Sequence, residues 1–328
     1  MDFQTVFLVG ASRSGTTWLQ HMLGAHPNVV TTQETDLFSQ YIEGWRRTWS
    51  DQTKGTKEEW LGFRFKGLPA ILTEDEFHEL MTRVVAAVYR KIMDLKPSAT
   101  TLLDKDPPHS LHVDLICRYL PKARFIHVIR DGRDVVTSLM AASKGWGRVW
   151  APSRFEDAAS MWRDYVLAAR QAEEKGHPYM EVRYEDLSAD GAAVLKRLFD
   201  FCLVEASLAD CTAIYDRFTF ERMKSQPAQM STSIVWGGEV RRRYGTALQE
   251  PDGFFGKGET GAWKETWGPY ERWRFDRIAG ELLADLGYAD EEWSRTGFLH
   301  RKVFPVREAT GLWLRHFLRS ARQRVSAF

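Results

Sequence analysis

The chain has 328 residues, with 45 Lys+Arg against 44 Asp+Glu and a formal net charge of +1. That balance argues against a protein that coats nucleic acid, and 44% hydrophobic with 27% charged residues is ordinary globular usage, which excludes a disordered chain. Cys117, Cys202 and Cys211 are too few and too irregularly spaced for a disulfide framework or a closed zinc site, so they read as free thiols in a reducing compartment. No stretch reaches the roughly 18 apolar residues that a membrane span needs. Residues 1–7 carry no basic region ahead of their apolar run, so a cytoplasmic protein without a signal peptide is expected.

Short β-branched or apolar runs at 6–9, 29–32, 101–103, 125–129 and 180–182 are each followed by helix-length amphipathic sequence. This is the pattern of βα units, and it predicts an α/β fold: one domain over 1–298 with a central parallel sheet flanked by helices. The first run leads through a glycine-spaced turn into a helix with Trp18, Leu19, Met22 and Leu23, which Pro27 ends. Residues 45–67 show no sustained period and read as an excursion over the sheet. Helical periodicity occupies 74–93, 155–174 and 192–202, and Val135, Val136, Leu139 and Met140 give the inward face of a helix after the fourth run. The segment 227–250, with Gly237-Gly238 and Arg241-Arg242-Arg243, has the look of a loop that covers a site.

Residues 299–328 form a basic amphipathic extension, in which Arg301, Lys302, Arg307, Arg315, Arg319, Arg322 and Arg324 face the single acid Glu308. Leu312, Trp313, Leu314, Phe317 and Leu318 interleave with these cations. Two readings stay open: a helix packed on the body with solvated arginines, or a peripheral contact with an anionic membrane.

Gly10-Ala11-Ser12-Arg13-Ser14-Gly15-Thr16-Thr17 lies between strand and helix, with the glycine spacing of a loop whose backbone N–H groups cradle a phosphate. The Lys that follows the second Gly in ATP-hydrolysing loops is Thr16 here, and a cation stands earlier, at Arg13. An anion cup with one guanidinium suits a 5'-phosphosulfate better than ATP hydrolysis. A second motif, Arg130-Asp131-Gly132-Arg133-Asp134-Val135-Val136-Thr137-Ser138, follows a strand and opens a helix, so that an Arg and a Ser can converge on one anion. Taken by itself it could be a surface salt-bridge cluster.

Together these motifs resemble those of the sulfotransferases that use 3'-phosphoadenosine 5'-phosphosulfate (PAPS), over about residues 4–285. The resemblance implies a P-loop nucleotide-kinase-like sulfotransferase fold. It also implies in-line transfer of a sulfuryl group to an acceptor hydroxyl, giving 3',5'-adenosine diphosphate (PAP) without a metal. In its terms Arg13, Ser14, Gly15, Thr16, Thr17 and Trp18 hold the 5'-phosphosulfate, and Arg130 and Ser138 hold the 3'-phosphate. Tyr184, in Arg183-Tyr184-Glu185-Asp186-Leu187, contacts the nucleotide, and Phe220 offers a face to the adenine. Lys257 and the Gly258 amide correspond to a C-terminal Arg-Lys-Gly element whose Arg is Gly256 here, and the lost cation is expected from Arg241 to Arg243.

Sulfuryl transfer needs a general base at the acceptor hydroxyl and cations for the leaving oxygen. Glu34 stands at the offset from Arg13 found in the tyrosylprotein branch, and Ala25-His26-Pro27 between them also matches. The cytosolic branch uses a His in a Lys-Thr-His element, where this chain reads Lys105-Asp106-Pro107-Pro108-His109. Glu34 is therefore the expected base, His109 the alternative and Asp106 a third, with Lys105 assisting the sulfuryl group or leaving phosphate.

Two readings compete: a P-loop small-molecule kinase or NTPase, and a nucleotide-binding module without catalysis. The acceptor is expected to be a small molecule or lipid with a hydroxyl. An apolar or aromatic one is preferred, because Trp45, Trp49, Trp60, Trp146 and Trp150 fall in segments expected to shape its pocket.

Overall fold

The computed structural model describes residues 2–54, 67–225, 233–235, 237, 254, 258–289, 293 and 304. Runs that are apolar on both faces become buried strands. These are β1 (Gln4–Val9), β2 (Val29–Thr31), β3 (Thr101–Lys105), β4 (Arg124–Ile129) and β5 (Tyr179–Arg183). They form one parallel sheet in the order β2-β3-β1-β4-β5. Helices α1 (Thr16–Gly24), α2 (Glu43–Lys54), α3 (Glu74–Met93), α4 (Val113–Tyr119), α5 (Gly132–Ala142) and α6 (Phe155–Glu174) lie before β5 or between the strands. After β5 come α7 (Tyr184–Ala189), α8 (Gly191–Phe201), α9 (Leu208–Arg217), α10 (Phe220–Ser225), α11 (Trp263–Thr266) and α12 (Pro269–Asp285).

Both faces of the sheet are covered, as an all-parallel sheet requires. Along β1 the side chains alternate, with Val6 and Leu8 packing towards α1 and α8, and Phe7 and Val9 towards α3 and α4. A third apolar cluster gathers α5, α6 and α12 around Trp162, Trp263, Trp267 and Trp293.

β3 lies between β1 and β2, so the second strand does not adjoin the first. The chain leaves β1 towards one edge and returns at β4 on its other side. That reversal opens a crevice at the carboxyl end of β1, where ligands bind in open α/β sheets.

Residues 43–54 form a helix where no sustained period was expected from residue 45 onward. Its only buried positions are Glu43 and Trp49, so its inward face is too sparse to register as a periodic pattern. The Glu43 carboxylate accepts from Arg46 Nε at 2.7 Å and Arg47 Nε at 2.6 Å, and the Arg46 hydrogen bond above all holds its pKa down at about 2. Among the described residues no helix is long and apolar enough to cross a membrane. The segments 55–66 and 241–243 lie outside the described residues, as does 299–328 apart from Phe304.

Candidate active site

The loop after β1 turns on left-handed backbone at Arg13 (φ 76°) and Gly15 (φ 100°). Gly15 is required there twice over, since a Cβ would also fall 2.5 Å from the Tyr184 ring. Gly15 precedes α1, and no side chain caps the helix, so its first-turn N–H groups face the crevice as an anion site. The buried Ser14 hydroxyl and Arg130 Nε have no hydrogen-bond partner among the described residues. The turn is tied to β3's continuation, because Gly10 N–H donates to Ser110 Oγ at 2.9 Å.

The second motif meets this loop. Arg130 donates to the Arg13 carbonyl at 3.2 Å and the Glu259 carbonyl at 2.9 Å, and its guanidinium lies 4.2 Å from the centre of the Tyr184 ring. Arg13 Nε donates to Ser138 Oγ at 3.0 Å, and its terminal nitrogen donates to the Phe254 carbonyl at 2.7 Å. Tyr184 O–H donates to the Gly258 carbonyl at 2.9 Å, while Trp18 Nε1–H donates to the Phe218 carbonyl at 2.6 Å. Asp134 accepts from the amides of Gly261 at 2.7 Å and Trp263 at 3.2 Å, which fixes the C-terminal glycine segment against α5.

On the other side of the loop, strand alternation turns Lys105 towards α1 and Asp104 towards α3. Lys105 is only 2% exposed, yet its Nζ reaches Glu34 Oε1 at 2.5 Å and Thr17 Oγ1 at 3.2 Å. Glu34 is 44% exposed and opens to solvent. Asp104 accepts from Tyr89 O–H at 2.5 Å and pairs with His109 Nε2 at 3.2 Å, and His109 Nδ1 lies 4.0 Å from Asp106 Oδ2. Neither ring nitrogen makes an aligned hydrogen bond, and these contacts are ion pairs only when the ring is protonated. Burial opposes charge on His109, but Asp104, Asp106 and Glu34 outweigh it and raise its pKa. Burial lifts Asp106 to about 6, and Glu34, Asp104 and Asp36 add to the rise against the pull of His109.

These groups enclose a cavity of about 620 Å³. Arg13, Gly15, Thr16, Thr17, Trp18, Arg130, Ser138, Tyr184 and Gly258 line one part of it. Glu34, Asp36, Asp106, Pro107, Pro108 and Tyr165 line another, with Trp146, Trp150, Met161 and Phe254.

A sequence model described as the sulfotransferase family matches residues 5–207. The chain belongs to the sulfotransferase family. Among its relatives, protein-tyrosine sulfotransferase A of Caenorhabditis elegans is 26% identical over 199 residues, covering 60% of this chain and 49% of the relative. Protein-tyrosine sulfotransferase 1 of Mus musculus is 28% identical over 140 residues, covering 43% of this chain and 35% of the relative. The matched stretch thus spans half or less of either relative's own length. In fold the chain resembles mouse sulfotransferase SULT7A1 complexed with PAP, with a TM-score of 0.55, 15% identity and coverage of 90% of this chain and 89% of that one. It also resembles the sulfotransferase domain from the curacin biosynthetic pathway, with a TM-score of 0.51, 19% identity and coverage of 85% and 97%.

Most of the residues expected from the motifs line one cavity. Ser14 lies buried beneath the loop, and Lys105 lies behind Glu34. His109 is fully buried and does not line the cavity, whereas Asp106 does. Lys257 and the Phe220 side chain lie outside the described residues, as do Arg241 to Arg243. Of the tryptophans expected at the acceptor, Trp146 and Trp150 line the cavity, but Trp49 is buried against Phe77 at 4.3 Å and Trp45 is exposed on α2. Trp60 lies outside the described residues.

Sequence reasoning missed Ser110, Asp134 and Tyr165. Asp134 stood inside a motif and read as a surface charge, while Ser110 and Tyr165 carry no local signal at all.

Proposed function

We propose that the chain is a PAPS-dependent sulfotransferase acting on a hydroxyl of a small-molecule or lipid acceptor, with an apolar or aromatic acceptor preferred. The observation that carries the reading is the hydrogen-bonded line Thr17, Lys105, Glu34, which joins a phosphate-loop hydroxyl, a buried cation and an exposed carboxylate. A kinase loop has its Lys at the position of Thr16, and a pure binder needs no carboxylate at that point.

The cup formed by the α1 N-terminus, with buried Ser14 Oγ and Arg130 Nε lacking partners, fits a doubly anionic nucleotide. Arg13, Ser14, Gly15, Thr16, Thr17 and Trp18 would hold its 5' end, and Arg130, Ser138, Tyr184 and Gly258 its 3'-phosphate side. PAPS supplies the sulfuryl group, so that the acceptor gains an O–S bond as the bond from sulfur to the phosphate oxygen breaks, leaving PAP. Glu34 takes the acceptor's proton. Lys105 and Arg13 stabilise the negative charge that grows on the leaving oxygen.

The cavity has the size of small-molecule pockets, which run from about 300 to 1,000 Å³. Trp146, Trp150, Met161, Pro107 and Pro108 give it apolar walls beside Glu34, Asp36 and Asp106, which favours an uncharged acceptor over an anionic one.

Incubation with PAPS and a panel of phenols, sterols, sugars, lipids and tyrosyl peptides tests this by mass spectrometry. The expected result is the mass gain of one SO3 on an apolar or aromatic member, with PAP released. PAP is also expected to raise the thermal midpoint, since a ligand that binds only the native state stabilises it. Stabilisation by magnesium and ATP with none by PAP would support the kinase reading instead.

A further inference from the structure

The Arg130 motif carries a buried acid on the side of the cavity where a 3'-phosphate is expected. Asp134 is 2% exposed and lines the cavity, four residues after Arg130 and four before Ser138. A carboxylate there repels an anion, and its burial is costly unless hydrogen bonds offset it. The adjacent Arg133 guanidinium is turned elsewhere, pairing with Asp131 at 2.7 Å. Both Asp134 oxygens go instead to main-chain amides: Oδ2 accepts from Gly261 N–H at 2.7 Å and Oδ1 from Trp263 N–H at 3.2 Å.

These amides belong to a strap, residues 258–263, that two further side chains hold a few residues earlier. Tyr184 O–H donates to the Gly258 carbonyl at 2.9 Å, and Arg130 donates to the Glu259 carbonyl at 2.9 Å. Gly258 and Gly261 turn the strap on left-handed backbone, with φ of 68° and 83°. A trans peptide points its N–H and C=O in opposite directions, so the bonds to Asp134 turn the Thr260 and Ala262 carbonyls away from that carboxylate. The strap thus gives carbonyls to Tyr184 and Arg130 at one end and amides to Asp134 at the other. Arg130 is held between the strap and the phosphate loop, because its other terminal nitrogen donates to the Arg13 carbonyl at 3.2 Å.

We propose that Asp134 is a positioning residue that makes the site select a nucleotide with a 3'-phosphate: it anchors the 258–263 strap to α5, and the strap, through the Glu259 carbonyl, sets the Arg130 guanidinium for that phosphate. The inference rests on the reading of Arg130 and Ser138 as the 3'-phosphate side. Asp134 acts through the strap and not on the nucleotide itself. Asp134 and Ser138 lie one turn apart on the same face of α5, so the helix fixes the spacing between the strap's anchor and the phosphate ligand.

The experiment compares PAP with adenosine 5'-phosphate, which lacks the 3' group, by calorimetry on the full chain and on D134N, with steady-state kinetics in PAPS alongside. Asn keeps the shape of Asp but has one acceptor oxygen and turns an NH2 group towards the second amide. Wild type is expected to bind PAP about a hundredfold more tightly than adenosine 5'-phosphate. D134N is expected to lose about tenfold in PAP affinity while its affinity for adenosine 5'-phosphate stays within about twofold. KM for PAPS rises by a similar factor and kcat is kept, because Glu34 and Lys105 lie on the other side of the loop. Should D134N fail to fold, hydrogen exchange over 258–263 in wild type decides: saturating PAP slows exchange of the strap amides, and saturating adenosine 5'-phosphate does not.

A D134N variant that keeps the wild-type preference, or one that loses affinity for both ligands alike, overturns the proposal. Equal protection of the strap by the two ligands overturns it as well. Wild type that binds both ligands equally overturns the reading of the 3'-phosphate side itself, whereas a wild-type preference that survives in D134N removes only the role of Asp134.

Discussion

At the scale of single residues, the loop after β1 depends on one glycine. Gly15 combines a left-handed backbone with a position under the Tyr184 ring, where a Cβ would come within 2.5 Å. Gly15→Ala is expected to displace Tyr184 and weaken PAP binding by about tenfold or more, through strain of about 1–3 kcal/mol. Calorimetry checks this, and unchanged affinity would mean that the loop is set by other contacts. Arg13 has a different setting. It lies against Trp146 and Phe254 and bonds Ser138, so one guanidinium joins the residues expected at both phosphates.

At the scale of elements, Arg130 is held in place by the helix packed behind it. Trp162 on α6 is fully buried, donates its indole N–H to the Arg130 carbonyl at 3.2 Å and lies so close to Gly132 that a Cβ there would come within 2.5 Å. Trp162→Ala is expected to cost about 3–5 kcal/mol, as large aromatic deletions in cores do. Urea unfolding measures it, and a loss below about 1 kcal/mol would show that the cluster refills the space.

Much of this arrangement was legible in the sequence. The strands, the phosphate loop and the Arg130 motif are local patterns, and each formed where its apolar run and turn residues indicated. Lys105 and Glu34 were legible only as separate motif positions. What joins them is β3 lying between β1 and β2, and strand order leaves no local mark. Helix α2 escaped because one buried Trp and one buried Glu make too thin an apolar stripe. The tryptophans misled for a related reason. A Trp fills core as readily as it lines a pocket, and Trp49, Trp162, Trp263, Trp267 and Trp293 are buried.

At the scale of the whole molecule, the sheet carries a histidine that makes stability depend on pH. His127 on β4 is fully buried beside Tyr179, whose hydroxyl lies 2.6 Å from its Nδ1, and burial pushes its pKa down to about 4. Its folded value lies below its ordinary one, so the neutral ring stabilises the fold above about pH 6.5, and that contribution is lost as pH falls through about 4. The full effect is at most about 3 kcal/mol. Glu43 adds a loss of the same sign at lower pH, as it is protonated towards its value of about 2. Asp106 acts in the opposite sense, since its raised value favours the folded state once it is protonated below about 6. Because His127 and Asp106 act in opposite senses over this window, the test is the difference between proteins: as pH drops from 6.5 to 4, the thermal midpoint of wild type is expected to fall relative to that of His127→Gln. Parallel slopes would remove His127 from the account.

The central claim is that Glu34 is the base of a sulfuryl transfer whose nucleotide site is built separately, from the loop after β1 and the Arg130 motif. The most direct measurement follows PAP release from PAPS with p-nitrophenol as acceptor, for wild type and Glu34→Gln, alongside PAP affinity by calorimetry. The account predicts turnover by wild type, its abolition in the variant and PAP affinity that is the same in both. Full turnover by Glu34→Gln would contradict it.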